Sequence, residues 1–235
     1  MASRFLRRSG IAIVLVAELI EYEPDHIIQV GIGKNHQEVD VMKVAWPNAT
    51  FVGFEANPHI GIDDYPGKLI RVAVGAEAGK ATLYFNKKHK DGSSFFPHND
   101  PIGPMQVEVD VVALDDMSME ELDMPIQQKL PNVLLWLDCE GMEFDVLRGC
   151  EKLLDQHVDV VNVEMTSNPP GDGWCTPNEV HDFLLEHGFL RQWVHTQRTS
   201  AGQTDAIYVR PHLFNPNYCC CPCQVKLFKQ GAEQK

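Results

Sequence analysis

Two groups of residues in this chain have the types and spacing for chemistry on a bound ligand. The first is the glycine turn Gly31-Ile32-Gly33. It is entered from the apolar run His26 to Val30, and Glu55 closes a second apolar run, Phe51 to Phe54. Glycines let the backbone approach a ligand, and an acid some twenty residues further on can accept hydrogen bonds from ribose hydroxyls. Together they outline a βαβ unit for an adenosine-bearing cofactor. The second group is acidic. Asp138 and Glu140 follow the apolar run Val133 to Leu137, and Glu164 follows Val158 to Val163. Carboxylates that converge on one crevice can stabilise a cation, take a proton as a general base, or bind a divalent metal. Asp115 and Asp116 are candidates for the rim of the same crevice. Glu143 has the simpler reading of an acid in the first turn of the next helix, which favours negative charge.

The glycine spacing narrows the cofactor. A dinucleotide fingerprint reads G-x-G-x-x-G, and here its third glycine position is His36. That glycine lets helix and strand close beneath a pyrophosphate. S-adenosylmethionine has no phosphate and carries a sulfonium cation, so a two-glycine turn facing acids suits it. A nicotinamide-dependent oxidoreductase shares the βαβ unit but needs the phosphate cradle that His36 compromises. A non-catalytic module that binds the cofactor or a partner is the third possibility.

The elements needed to position these residues can be read from the apolar pattern. Strands Ile27 to Val30, Phe51 to Glu55, Leu69 to Val74, Val133 to Leu137 and Val158 to Val163 alternate with helices. This is the pattern of a parallel sheet covered on both faces. Helices are expected over Gln37 to Ala45 and Phe144 to Leu154. A third opens at Thr176-Pro177-Asn178-Glu179 with a capping box and proline in its first turn, and ends at Gly188. Leu190 to His195 and Ala206 to Val209 form a final antiparallel pair. Gly79 to Phe85 and Val107 to Val112 alternate as half-exposed strands around a turn-rich stretch. They read as a flap over about 79–112 above the ligand end of the sheet.

Composition sets the outer bounds. The chain has 235 residues, enough for one α/β domain with a full core. Its formal net charge of -13 argues against nucleic-acid tracks and anionic membrane surfaces as partners. The expected organisation is a helical lead-in over 1–25, a catalytic domain over 26–211, and a loose tail over 212–235. Arg4, Arg7 and Arg8 before the run Ile11 to Ile20 resemble the start of a signal peptide. Glu18 interrupts that run, which is also too short to span a bilayer, so a helix packed on the sheet is the preferred reading. Seven cysteines, four of them crowded into Cys219, Cys220, Cys221 and Cys223, do not form a secreted disulfide framework. Cytoplasmic free thiols are expected, with zinc binding or acylation of the tail as the alternatives.

Leu137-Asp138-Cys139-Glu140-Gly141-Met142-Glu143-Phe144-Asp145-Val146-Leu147-Arg148-Gly149 resembles the D-x-E-G-x-E-x-x-V-L-x-G signature of FkbM-type methyltransferases. Phe54-Glu55-Ala56-Asn57-Pro58 is similar to that family's F-E-P-N-P strand end. Val112 to Asp116, the pair Ser93-Ser94, and Val163-Glu164 resemble its other segments in the same order. The first motif departs from the family's D-V-G-A-N-x-G: Gln29 replaces the acid, Gly33 the asparagine, and Asn35 the last glycine. The resemblance covers roughly residues 26 to 195. It implies a Rossmann-like, seven-stranded class I methyltransferase fold, mostly parallel, that uses S-adenosylmethionine to methylate a hydroxyl of a small molecule or glycan. It also implies cofactor contacts from Gln29, Gly31, Gly33, Asn35, Glu55, Asn57, Ser94 and Asp138. Asp138, Glu140 and Glu164 would then be the catalytic acids, without a metal, and His98 a second base. The flap and Ser167 to Trp174 would shape the acceptor pocket.

Overall fold

Gly31 and Glu55 can meet only if the two strands before them lie side by side, and the sheet order does this. A computed structural model of the chain describes residues 9–34, 37–86, 92–97, 105–124, 131–169, 172–196 and 202–219. Its strands are β1 (His26–Val30), β2 (Thr50–Phe54), β3 (Lys68–Ile70), β4 (Ala73–Val74), β5 (Gly79–Phe85), β6 (Met105–Val112), β7 (Val133–Leu137), β8 (Val158–Thr166), β9 (Leu190–Thr196) and β10 (Gln203–Val209). Seven strands form one sheet in the order β3-β2-β1-β7-β8-β10-β9. Within it, β2, β3, β7 and β8 join β1 in parallel register, and β10 runs antiparallel between β8 and β9. β1, β7 and β8 are central and parallel, which explains their continuous apolar runs: both faces are covered.

The alternation along each strand divides the core in two. Ile27, Phe51, Leu134, Trp136, Val160 and Ile207 face α1 (Ser9–Val14), the turn after it and α2 (Gln37–Ala45), where Ile13, Val16, Val39 and Met42 are fully buried. Ile28, Val52, Leu135, Val161, Val163 and Ala206 face α3 (Glu143–Arg148), α4 (Glu151–Gln156) and α5 (Pro177–Glu186). α1 continues into a single π turn, Leu15–Leu19, so the apolar lead-in packs on the sheet as expected. Among the described residues no helix is long and apolar enough to cross a membrane. The start of α5 carries the capping box: the Thr176 hydroxyl accepts from Glu179 N, and Glu179 Oε2 accepts from Thr176 N at 2.7 Å.

Three expectations are corrected. The strand expected over Leu69 to Val74 divides at Arg71-Val72. β3 stays in the main sheet, while β4 leaves it to pair with β6 in a second sheet of order β4-β6-β5. The helix expected over Phe144 to Leu154 breaks into α3 and α4 at Gly149. A Cβ there would lie 2.0 Å from the carbonyl oxygen of Gly75, so the break is where the second sheet presses on the first layer. Asp115 is not at the ligand rim. Its two carboxylate oxygens accept from Lys152 N at 2.8 Å and Leu153 N at 2.9 Å, in the first turn of α4. Beyond β10, Phe214 is buried and Asn215 exchanges hydrogen bonds with Gln192, so residues 211–219 stay against the sheet.

Candidate active site

β1 ends where the backbone must turn left-handed. Gly31 has φ +82°, and a Cβ there would lie 1.8 Å from the carbonyl oxygen of Asp138 at the end of β7. Only glycine lets the two strand ends approach this closely. Gly33 repeats the left-handed conformation at φ +63°. The Glu55 carboxylate faces the turn: Oε2 accepts from Ile32 N at 3.3 Å and Gly33 N at 3.0 Å, and Oε1 accepts from Asn57 N at 2.7 Å. The acid is buried and lines the cavity described below. Charge-assisted bonds of this kind are the stronger class of hydrogen bond, so Glu55 holds the glycine turn in shape.

The second loop, Asp138 to Met142, is built on strain. Glu140 is left-handed at φ +51° without being glycine, and Gly141 follows at φ +100° with the Trp174 ring where a Cβ would go. Glu143 does lie in the first turn of α3, as expected, and its buried carboxylate also reaches back to this loop. Its Oε1 accepts from Cys139 N at 3.1 Å and Gly141 N at 3.2 Å, and its Oε2 accepts from the Cys175 thiol. The paired serines tie the flap to both loops. Ser93 Oγ accepts from Asn57 Nδ2 at 2.8 Å, and Ser94 Oγ donates to the Glu140 carbonyl at 2.7 Å.

Between these loops lies a cavity of about 370 Å³ at the C-terminal ends of β1, β2, β7 and β8. This is where open α/β sheets bind ligands. Among the described residues, Glu38, Glu55, Asp138, Glu140, Glu164, Asp205 and one lysine, Lys34, line it. Desolvation, then the negative charge of Asp138 and Glu143, pushes the Glu140 carboxyl up to about 8. Asp138 is raised well above the usual carboxylate range by desolvation, then by Glu164 and Glu38. Its side chain is open to the cavity, so that effect is fullest when a ligand displaces the water there. Among the described residues, no three His, Cys, Asp or Glu side chains converge so as to hold a metal ion.

Of the residues singled out from sequence, Gly31, Gly33, Glu55, Asp138, Glu140 and Glu164 come together on the cavity wall. Asn57 and Ser94 are buried behind it and tie loop to loop, while Gln29 lies off the wall, with its Oε1 accepting from the Tyr65 hydroxyl at 3.4 Å. Asn35, His98, Cys220, Cys221 and Cys223 lie outside the described residues. Sequence reasoning missed Glu38, Asn162, Gln203 and Asp205, which also line the cavity. A signal was available for Asp205: it is the acid directly before Ala206 to Val209, a strand expected to be antiparallel, whose start lies at the ligand end.

A seven-stranded sheet with one antiparallel strand inserted before the edge, a glycine turn after β1 and an acid after β2 defines a class I methyltransferase domain. The chain belongs to the FkbM methyltransferase family: the model of the Methyltransferase FkbM domain matches residues 23–191. The family uses S-adenosylmethionine. No curated protein matches the chain by sequence. Among solved structures it is similar to the FkbM methyltransferase of Methylobacillus flagellatus KT at 10% identity and a TM-score of 0.48. That match covers 79% of this chain and 43% of the other, so the chain spans under half of that protein's length. It is similar to a duf574 family protein of Streptomyces avermitilis at 11% identity and a TM-score of 0.49, covering 86% and 81%. Magnesium protoporphyrin IX methyltransferase of Synechocystis, solved with bound SAM, matches at 8% identity and a TM-score of 0.46, covering 86% and 76%.

Proposed function

We propose that this chain transfers a methyl group from S-adenosylmethionine to a hydroxyl oxygen of a small molecule or sugar. One observation carries the reading. A single cavity has the glycine turn and Glu55 on one wall and Asp138, Glu140 and Glu164 on the other. The residues fit the cofactor. The left-handed glycines present bare backbone, the cavity needs no phosphate cradle, and its excess of carboxylates favours a sulfonium cation. Glu55 accepts from three backbone donors, which leaves one of its roughly four lone-pair sites, on Oε1, for a ribose hydroxyl.

When bound, the cofactor supplies an activated methyl carbon, whose bonding pair to sulfur leaves with the sulfur as the oxygen–methyl bond forms. The chain's part is to align and to accept a proton. Gly31 and Gly33 let one reactant sit close against the strand ends, and much of the acceleration comes from that fixed geometry. Asp138, at the end of β7 with its side chain open to the cavity, takes the hydroxyl proton. Glu164 shares the crevice and adds its charge to that of Asp138. Gln203 Nε2 donates to Glu164 Oε1 at 2.6 Å and fixes its orientation. Glu140 borders the same cavity from the strained loop.

The test is calorimetric titration with S-adenosylmethionine, followed by measurement of S-adenosylhomocysteine release on a panel of hydroxyl compounds. Micromolar binding with acceptor-dependent release supports the reading. Release that is unchanged by removing every acceptor, or cofactor binding with no release across the panel, contradicts it.

A further inference from the structure

The paired serines of the flap reach both sides of the cavity. Ser94 is 1% exposed and is fixed to the second sheet: Tyr84 N donates to its carbonyl at 2.8 Å, and its own N–H donates to the Tyr84 carbonyl at 2.9 Å. Its hydroxyl has one proton to give. Oγ accepts from Phe96 N at 3.3 Å and gives that proton to the Glu140 carbonyl at 2.7 Å. Ser93, one residue earlier, accepts from Asn57 Nδ2, and Asn57 N donates to the Glu55 carboxylate. Two adjacent serines thus tie the loop behind Glu55 to the loop that carries Asp138 and Glu140.

Glu140 is where the second tie matters. A residue with a Cβ at φ +51° is strained, and such a conformation persists only where its surroundings impose it. Glu143 accepts from the N–H groups on either side, Cys139 N at 3.1 Å and Gly141 N at 3.2 Å. Cys175 N donates to the Gly141 carbonyl at 3.4 Å, and the Trp174 ring lies where a Gly141 Cβ would be. These clamps hold the residues before and after Glu140. Its own carbonyl is held by Ser94. In this conformation Glu140 lines the cavity with Asp138. Burial there, then the charges of Asp138 and Glu143, keeps its carboxyl protonated up to about 8.

We infer that Ser94 is a positioning residue for the acceptor side of the cavity: its hydroxyl bond to the Glu140 carbonyl holds Glu140 in the left-handed conformation that puts it on the cavity wall, and Ser93 keeps that wall in register with Glu55. This rests on the methyltransferase reading of the same cavity. It takes Ser94 away from the cofactor contact that resemblance implies and gives it a task on the opposite wall. A misplacement of about 1 Å between reacting groups can cost about a hundredfold in rate, so a strut that fixes the spacing of the two walls bears directly on transfer.

The experiment is an NMR titration of the isotope-labelled glutamate carboxyls in the full, cofactor-free chain, with the Glu140 signal identified by its absence from Glu140→Gln. In the parent it is expected to titrate at about 8. In Ser94→Ala the loop relaxes and the carboxyl meets water, so its proton affinity should fall about tenfold or more. Ser94→Thr, which keeps a hydroxyl, should restore the parental value. A purely structural Ser94 would lower thermal stability without moving this titration, and that result overturns the inference. A parental Glu140 that titrates near its ordinary 4.5 overturns it as well. If the alanine variant does not fold, Ser94→Cys, whose thiol is a weak donor, carries the same comparison. Calorimetry with S-adenosylhomocysteine on the same proteins separates the two readings. Lost affinity in Ser94→Ala with the Glu140 titration unmoved makes Ser94 a cofactor residue and overturns the positioning role. A parent that does not bind S-adenosylhomocysteine overturns the cofactor reading, while the titration still decides whether Ser94 holds Glu140.

Discussion

Replacing Glu55 separates a carboxylate that shapes the cofactor turn from one that only touches a ligand. In the protein it is 6% exposed and accepts three backbone N–H groups, from Ile32, Gly33 and Asn57. Glu55→Ala removes all three acceptors. A buried donor left unpaired costs roughly 1–3 kcal/mol. Water from the adjoining cavity can reach part of the gap, so the low end applies and the sum is about 3 kcal/mol. For a domain of this length that is a fall in Tm of about 6–12 °C. Glu55→Gln keeps one acceptor oxygen but turns an amide donor towards backbone donors, and should cost roughly half as much. Thermal and urea unfolding read the stability, and S-adenosylmethionine titration of the still-folded Gln variant reads the cofactor site. A Glu55→Ala protein as stable as the parent, to within about 0.5 kcal/mol, would falsify the claim that this acid holds the turn. A Gln variant that binds the cofactor as tightly as the parent would mean the ribose is held elsewhere.

Other outcomes follow from the same geometry. Asp138→Asn should leave unfolding unchanged or slightly improved, since it removes a charge crowded by Glu164 and Glu38, and should lower turnover by about 100-fold or more; parental turnover removes Asp138 from the mechanism. The Glu140 carboxyl is raised from its usual 4.5 to about 8, so the folded protein binds its proton more tightly than the unfolded chain does. Its contribution is therefore fully present below about pH 4.5 and is lost as pH rises through 8. Glu140→Gln should flatten the fall in urea stability across that window, and an unaltered slope refutes the assignment. Asp115→Ala leaves two N–H groups of α4 without their acceptor and should cost about 1–2 kcal/mol in urea unfolding, without changing cofactor affinity; a loss of affinity at parental stability would return Asp115 to the site.

What was legible in the sequence had local causes. β1, β2, β7 and β8 announce themselves as apolar runs because both faces are covered, and the glycine turn after β1 and the acids Glu55, Asp138 and Glu164 follow directly from where those runs end. The capping box of α5 is chemistry between residues three apart. What stayed hidden depends on contacts far along the chain. The break at Gly149 comes from Gly75, and Asp115 is claimed by α4 from 37 residues away. Asp205 stands apart from the strand C-termini where the other acids lie, because β10 is antiparallel and brings its start to the ligand end. Asn162 lies inside a buried run, where nothing in the sequence separates a satisfied amide from an unpaired one.

The central claim is that one cavity holds the cofactor between the Gly31–Glu55 wall and the Asp138 wall. A crystal structure of the S-adenosylhomocysteine complex tests it most directly. The account predicts ribose hydroxyls within about 3 Å of Glu55, a hydrogen-bonding distance, and the sulfur above the ends of β1 and β7 beside Asp138. A nucleoside bound elsewhere, or ribose hydroxyls turned away from Glu55, would contradict it.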